Sequence, residues 1–456
     1  MKIKFLGGAQ EVGRLGMLLE HNGARLLFEY GLKIMEYERT SDGKRHKVAP
    51  KAPVRCPDID HIFLTHCHID HSGMIPSAAY EYNVKITATP LTAVVAEMLW
   101  KDTLKISRSE SYRDDEAPRA AMDPSERPFP MYSEAQIELA MRHFDFMDFG
   151  QEKEIGGFEV KMHSAGHIPG AAMYELRGED TTVFTGDLNT YNTRLVWGAH
   201  PVKCDNLIIE STYGGRNHPD RANEERRFIA KVKEVVERGG KAIIPCFAVG
   251  RTQEVMLILK DLQYSMWVDG MGKSVNRFYL DMPEYLRSDQ DMRKAKRVFN
   301  EVRTESARER AIKEGQVIVT TGGMLDGGPV LRYIDSQKDN KNSAILIPGY
   351  LANNSNGRMM LEEGRLDLSR SYRDRSTGKM YHDERSIERL QLEFGKEACQ
   401  FDLSSHADHS ELMKFIKGCD PQKIVLMHGD NREAMAEALQ DEYDVLLPVA
   451  GQELEI

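Results

Sequence analysis

The chain has 456 residues, 41% of them hydrophobic and 29% charged, with a formal net charge of −10. Such a composition is ordinary for a globular protein, and the length exceeds what a single core usually holds, so two domains or one domain with a large insertion are expected. No apolar run approaches the ~20 residues of a membrane span, the opening residues lack a signal-peptide core, and the six cysteines (Cys56, Cys67, Cys204, Cys246, Cys399, Cys419) form no CxxC pair, which together predict a reduced cytoplasmic protein with no membrane partner.

At the N-terminus, "MKIKFLGGAQEVG" reads as a strand running into turn glycines, without the G-x-G-x-x-G spacing of a dinucleotide loop. "HIFLTH" (61 to 66) is a short apolar, β-branched run, read as a buried strand, and "DHSGMIPSAAYEY" then reads as a turn entering a helix. "HCHIDH" (66 to 71) therefore lies beyond the C-terminal end of a strand, where ligands bind in α/β sheets. With 15 histidines in the whole chain, three in six positions is far above a chance density. On an extended segment His66, His68 and Asp70 would share one side, with Cys67 pointing away and His71 brought round by the turn. Two histidines on one side with an Asp-His pair displaced from them suit two adjacent metals better than one tetrahedral site.

Residues 101 to 150 form a polar, helical excursion, in which "YSEAQIELAMRHF" opens on a capping box of Ser133 and Gln136. "HSAGHIPGAAMYEL" then supplies His167 in a glycine-rich loop before a strand, and "TTVFTGDLNT" supplies Asp187 just after another. Either alone is weak, since a lone histidine is commonly structural and Gly-Asp after a strand is a common turn. Both nonetheless fall at strand ends where glycine permits close backbone approach, so they fit as further ligands, with Asp187 as a bridge.

From about 206 to 396 helix-like and strand-like runs alternate ("KAIIPCFAV", "GQVIVTT", "SAILIPGY"), as in an inserted α/β domain. "DGMGKS" (269 to 274) resembles the tail of a phosphate-binding loop, but Trp267 stands where that motif needs glycine, which excludes an NTPase. Residues 287 to 313 carry nine Lys/Arg against five Asp/Glu and read as a solvated helix face, while 365 to 388 reads as a polar surface loop or extended hairpin. The acidic net charge does not exclude a nucleic-acid partner, because a basic groove can coexist with an acidic exterior.

H-x-H-x-D-H, a distant His in "AGHIPGA" and Asp in "FTGD" resemble the signature of the metallo-β-lactamase fold, an αββα sandwich with a two-zinc site. "LIIESTYG" with Glu210, "SSHADHSEL" with His406 and "IVLMHGD" with His428 resemble motifs A, B and C of its β-CASP branch. That branch processes nucleic acids and includes RNase J and the endonuclease subunit of the eukaryotic cleavage and polyadenylation factor. "IPCFAVGRTQEVM", "TTGGMLDGGPVLRY" and "IPGYLANNSNGRMM" extend the resemblance over essentially the whole chain.

The resemblance implies an α/β protein: a metallo-β-lactamase domain (1–205), an inserted β-CASP cap domain (206–396) and a C-terminal completion of the first domain (397–456). It further implies that His66, His68 and His167 bind one zinc, that Asp70, His71 and His428 bind the other, and that Asp187 bridges the two Zn2+. Asp70 is thereby counted with the catalytic groups, His406 is the general acid and Glu210 orients it. Arg251, Arg358 and Ser405, which lie in the matching motifs, are the candidate substrate contacts. The partner implied is single-stranded RNA, with a homodimer or association with other RNA-processing factors left open.

The sequence departs from the family at one point. A family Asp that supports a ligand histidine from behind is replaced by Glu29 in "ARLLFEYGL", which moves the carboxylate and can weaken metal binding or activity. A metal-dependent ribonuclease is the reading these motifs favour. A small-molecule hydrolase of the glyoxalase or lactonase type shares the His/Asp site but gives Glu210 and His406 no role, and a non-catalytic scaffold is the third alternative.

Overall fold

The structure, a computed structural model, describes the chain except residues 34–36, 40–44, 48–49, 110–131, 354, 365, 368–369, 374–379, 384–385 and 388–398. Two seven-stranded sheets and one six-stranded sheet dominate it. In the first sheet the order is Glu453–Glu455, Lys2–Gly7, Gly16–His21, Ala24–Phe28, His61–Phe63, Lys85–Ala88 and Phe144–Phe146. The second runs Asp444–Leu446, Lys423–Met427, Asn206–Glu210, Thr181–Phe184, Ala172–Arg177, Phe158–Ser164 and Glu152–Ile155. Each thus ends with strands from the chain's last 60 residues at one edge, so the C-terminal segment completes both sheets.

The inner faces of these two sheets bury one apolar layer, including Phe5, Phe28, Phe63, Tyr174, Phe184 and Met427. Phe28 stacks on Phe63 with ring centroids 4.8 Å apart. The Tyr174 hydroxyl is not stranded in that layer, because it donates to the Leu64 and Thr87 carbonyls of the facing sheet at 2.9 and 2.8 Å. Strand ends of both sheets therefore have fixed relative positions, and the loops that leave them inherit that rigidity.

The third sheet is parallel throughout, in the order Phe299–Glu301, Met266–Asp269, Val317–Thr321, Ala242–Cys246, Ala344–Ile347 and Cys399–Gln400. Its four central strands are fully buried, as parallel strands covered by helices are. Two strands lie near the expected ends of the insertion. Asn206–Glu210, expected to open the insertion, pairs in parallel with Thr181–Phe184 and Lys423–Met427 in the second sheet. Cys399–Gln400, expected after the return, is the edge strand of the third.

The capping box at Ser133 is present, each partner accepting from the other's backbone N–H, whereas 110–131 of the same excursion lies outside the described residues. Arg370–Arg373 pairs antiparallel with Met380–Asp383, in keeping with the second of the two forms, surface loop or extended hairpin, read for this stretch. In "DGMGKS" the Lys273 ammonium is occupied by the Val302 carbonyl and, at 3.3 Å, by Asp269. Five of the six cysteines, Cys56, Cys67, Cys204, Cys246 and Cys419, are buried, and Cys399 is partly exposed. Among the described residues no helix is long and apolar enough to cross a membrane.

Candidate metal centre

His66 and His68 follow the strand His61–Phe63, but the chain turns helical at once, over Ile69–Ser72. Asp70 is therefore not extended beside His66 and His68 as expected. It sits on the helical turn with His71 and faces His428. Three backbone hydrogen bonds pin this turn: Leu15 N–H to Asp70, Tyr30 N–H to His71 and Leu32 N–H to Ile69, at 2.8 to 2.9 Å. Gly31 lies between the last two donors, and a Cβ on it would fall 1.6 Å from the Asp70 carbonyl oxygen. No side chain fits there, and nothing in the sequence pattern had singled Gly31 out.

His167 leaves the second sheet between Phe158–Ser164 and Ala172–Arg177, and Asp187 follows Thr181–Phe184. His428 follows Lys423–Met427 with φ of 52°, a left-handed backbone that is strained in a residue with a Cβ. Its N–H donates to the Gly8 carbonyl at 3.1 Å, so the N-terminal glycine turn supports it.

These elements bring together two groups of potential ligands. In His66, His68, His167 and Asp187 the ligand atoms all lie within 4.8 Å of one another, and the same holds for Asp70, His71 and His428. Asp187 stands between the groups. Its Oδ2 is 3.5 Å from His66 Nε2 and 3.6 Å from His167 Nε2, and its Oδ1 is 3.2 Å from His71 Nε2 and 3.7 Å from His428 Nε2. His68 presents Nδ1 instead, 3.1 Å from His66 Nε2 and 3.3 Å from His167 Nε2.

Burial holds the His66, His68, His167 and His428 imidazoles below their ordinary pKa, hence neutral and able to offer a lone pair. Burial also lowers His71, but the Asp187 and Asp70 carboxylates outweigh it and raise that imidazole well above the ordinary value. Burial would raise Asp187, yet His71 and His406 hold it well below the usual carboxylate range. His71 Nε2, His428 Nε2 and Asp187 Oδ1 are buried without a hydrogen-bond partner. Buried polar atoms are rarely left so, and these three converge on one point. Imidazole nitrogens and a carboxylate are zinc-type donors, so these residues fit metal ions.

Glu29 closes the site from behind. It is fully buried with φ of 59°, accepts the Thr65 N–H on Oε1 at 2.8 Å, and places Oε2 3.5 Å from His71 Nδ1. That separation is an ion-pair distance rather than a good hydrogen bond, and neither atom has another partner. On the opposite side, Glu210 ends Asn206–Glu210 and accepts the Leu188 N–H at 2.6 Å and the Thr212 N–H at 3.3 Å. Its Oε1 lies 3.0 Å from His406 Nδ1. The other nitrogen, His406 Nε2, is 3.8 Å from Asp187 Oδ2. Burial lowers the His406 pKa, but Glu210 and Asp187 overcome it and raise it to about 9.

The His406 loop is held by a capping box. Asp408 accepts from Glu411 N–H and Glu411 from Asp408 N–H at the start of His409–Cys419, and Asp408 also accepts the His218 N–H at 3.0 Å. The remaining candidates fare differently. Ser405 uses its carbonyl to take His167 Nδ1 at 2.8 Å, so it positions that imidazole through its backbone. Arg358 donates from Nη2 to the Leu351 carbonyl at 3.1 Å. Arg251 opens the helix Arg251–Leu259 with Nε and Nη1 unpaired.

Residues 48–245 match the metallo-beta-lactamase superfamily, 252–360 the Beta-Casp domain and 397–448 the Zn-dependent metallo-hydrolase RNA specificity domain. Over its full length the chain is 31% identical to Probable RNase MJ4 of Methanocaldococcus jannaschii, all of which is covered. The chain belongs to the β-CASP family of the metallo-β-lactamase superfamily. Its similarity within this family extends to RNase aCSPSF2 of Saccharolobus solfataricus, 31% identical over all of this chain and 85% of that one. It also extends to transcription termination factor FttA of M. jannaschii, 29% identical over 95% of this chain and 68% of that one. A solved structure of a protein of unknown function from Enterococcus faecalis has a TM-score of 0.58 at 13% identity, covering 99% of each chain, and shares the fold. The two facing sheets are thus the metallo-β-lactamase sandwich, and the parallel third sheet is the core of the β-CASP insertion.

Proposed function

We propose that this β-CASP protein is a two-zinc ribonuclease that hydrolyses phosphodiester bonds in single-stranded RNA. The observation that carries this reading is the Asp187 carboxylate, which faces one ligand group with each oxygen while His406 stands beside it on Glu210. His66, His68 and His167 would hold one zinc and Asp70, His71 and His428 the other, with Asp187 shared. Two such ions, when bound, supply a hydroxide at neutral pH and neutralise charge on the phosphate.

The chain's own groups supply the rest. Glu210 holds the Nδ1 proton of His406, which fixes the tautomer and aims Nε2 into the site. Nε2 then carries the proton that the leaving 3′ oxygen needs, a contribution typically worth ~10² to 10⁴ in rate. The arrangement gives Glu210 and His406 a task that a small-molecule hydrolase would leave unused. The sheet pairings support bounds of about 211 to 400 for the β-CASP insertion, and the RNA would run between that insertion and the sandwich.

Incubation of the purified protein with 5′-labelled RNA, single-stranded DNA and a generic ester tests the reading. RNA cleavage that a chelator abolishes, with about two zinc per chain by metal analysis, is expected. Ester hydrolysis without RNA cleavage, or no more than one tightly bound metal, contradicts it.

A further inference from the structure

Several carboxylates of this region are paired with other cations, although among the described residues Glu254 Oε2 is left buried without a hydrogen-bond partner. Arg221 donates to Glu254 at 2.6 Å, Glu225 at 3.1 Å, the Tyr191 hydroxyl at 3.3 Å and the Ser404 carbonyl at 3.0 Å. Arg194 takes the other Glu225 oxygen at 2.7 Å, and Asp402 receives Arg216 at 2.7 Å and lies 3.1 Å from His218. Arg251 stands in the same neighbourhood without one. Its Nε and Nη1 are buried, and among the described residues neither has a hydrogen-bond partner. Burial, and then the Arg221 charge, pull its pKa below the ordinary value against the smaller opposing effects of Tyr191, Tyr213 and Glu254.

An unpaired guanidinium is costly to bury, because its hydration is lost and nothing replaces it. Arg221 is equally enclosed yet fully engaged, so the location alone does not force the isolation of Arg251. Position explains it better. Arg251 follows the C-terminal end of the parallel strand Ala242–Cys246, and Gly349, just past Ala344–Ile347, has no side chain to shield the guanidinium; a Cβ there would lie 3.6 Å from Nε. Ligands of parallel sheets bind at this edge.

Tyr213 and Ser404 connect this region to His406. The Tyr213 ring, which feels the Arg251 charge, lies 6.0 Å from the His406 ring, and Ser404, which receives Arg221 and Tyr191, accepts the His406 N–H on its Oγ at 3.1 Å. Phe247 and Tyr350, at the ends of the same two strands, are 42% and 43% exposed and present faces on which a base can stack.

We infer that Arg251 is the counter-ion site for an RNA backbone phosphate, the one adjacent to the scissile phosphate on the cap-domain side. This rests on the ribonuclease reading and adds to it a substrate-binding residue with a defined chemistry. The guanidinium fork matches two non-bridging phosphate oxygens, and the anion provides the pairing that the chain withholds. The scissile phosphate belongs between Asp187 and His406 Nε2, so Arg251 acts on binding and register, not on proton transfer.

Arg251→Gln and Arg251→Lys, assayed on RNA across a salt series and on bis(4-nitrophenyl) phosphate, test it. For Arg251→Gln, KM for RNA should rise at least tenfold, with zinc content and melting temperature close to wild type. The slope of log KM against log salt should fall by about 0.7, the value for one phosphate of a single strand. The loss on RNA should exceed the loss on the small diester, which has no neighbouring phosphate, at least tenfold, and Arg251→Lys should recover part of the affinity. An unchanged salt slope, or equal losses on both substrates, overturns the inference. Wild-type protein that cuts no RNA overturns the ribonuclease reading instead, and this inference with it.

Discussion

Glu29 Oε2 lies 3.5 Å from His71 Nδ1, and both side chains are fully buried. The longer carboxylate reaches its histidine because Glu29 adopts a left-handed backbone and is tethered through Oε1 to the Thr65 N–H. A group behind a ligand histidine fixes its tautomer and raises its basicity. Glu29→Gln keeps the shape and removes the charge, so zinc affinity or turnover should drop ~10- to 100-fold while the circular dichroism spectrum is retained. Unchanged metal content together with unchanged turnover would show that the carboxylate does nothing for His71.

Gly31→Ala should damage one half of the metal centre selectively. The added methyl would collide with the Asp70 carbonyl at 1.6 Å and push the Ile69–Ser72 turn away from Tyr30 and Leu32. Zinc analysis should show fewer ions per chain than wild type, lost first from the Asp70, His71 and His428 side. Full occupancy would mean that the turn tolerates displacement.

His61 gives a pH dependence that is separate from the metal ligands. Its ring is buried against Thr87 Oγ1 at 2.8 Å, and burial lowers its pKa to about 4. In the unfolded chain the ordinary value is about 6.5. Below that pH the unfolded state takes up a proton that the folded state refuses, so stability is lost as pH falls from about 6.5 towards 4, by up to ~3 kcal/mol. Above pH 6.5 both states are neutral and the effect vanishes. With zinc removed by chelation, the melting temperature of His61→Gln should fall less between pH 7 and 4.5 than that of wild type. Parallel curves would contradict this.

The His and Asp residues of the candidate site were legible in the sequence because they fall at strand ends, with glycine beside His167, Asp187 and His428, which is a local pattern. It misplaced Asp70 because Ile69–Ser72 is a four-residue helix, too short for any periodicity to register against the extended alternative. In sequence, "NLIIE" (206 to 210) reads like the strands of the cap domain. Its sheet is decided by pairing with Lys423–Met427, more than 200 residues away. Ser405 and Gly31 act through backbone atoms, one as a hydrogen-bond acceptor and the other by lacking a Cβ, and side-chain chemistry cannot reveal either role. The isolation of Arg251 likewise depends on which carboxylates Arg221, Arg194 and Arg216 have taken, a fact of three-dimensional packing alone.

The most direct test of the central claim is single-turnover RNA cleavage by His406→Ala, with zinc content and RNA affinity measured on the same preparation. His406 contacts Glu210 through Nδ1 and directs Nε2 towards Asp187 at 3.8 Å; it groups with Asp187 and Glu210 rather than with the other histidines. The variant should therefore keep both zinc ions and bind RNA as wild type does, yet cleave it ~10² to 10⁴ more slowly. That deficit should shrink on RNA whose scissile 3′ oxygen is replaced by sulfur, because a thiolate leaves without a proton. Loss of zinc from the variant, or an equal deficit on the oxygen and sulfur substrates, would contradict the assignment of His406 as the acid.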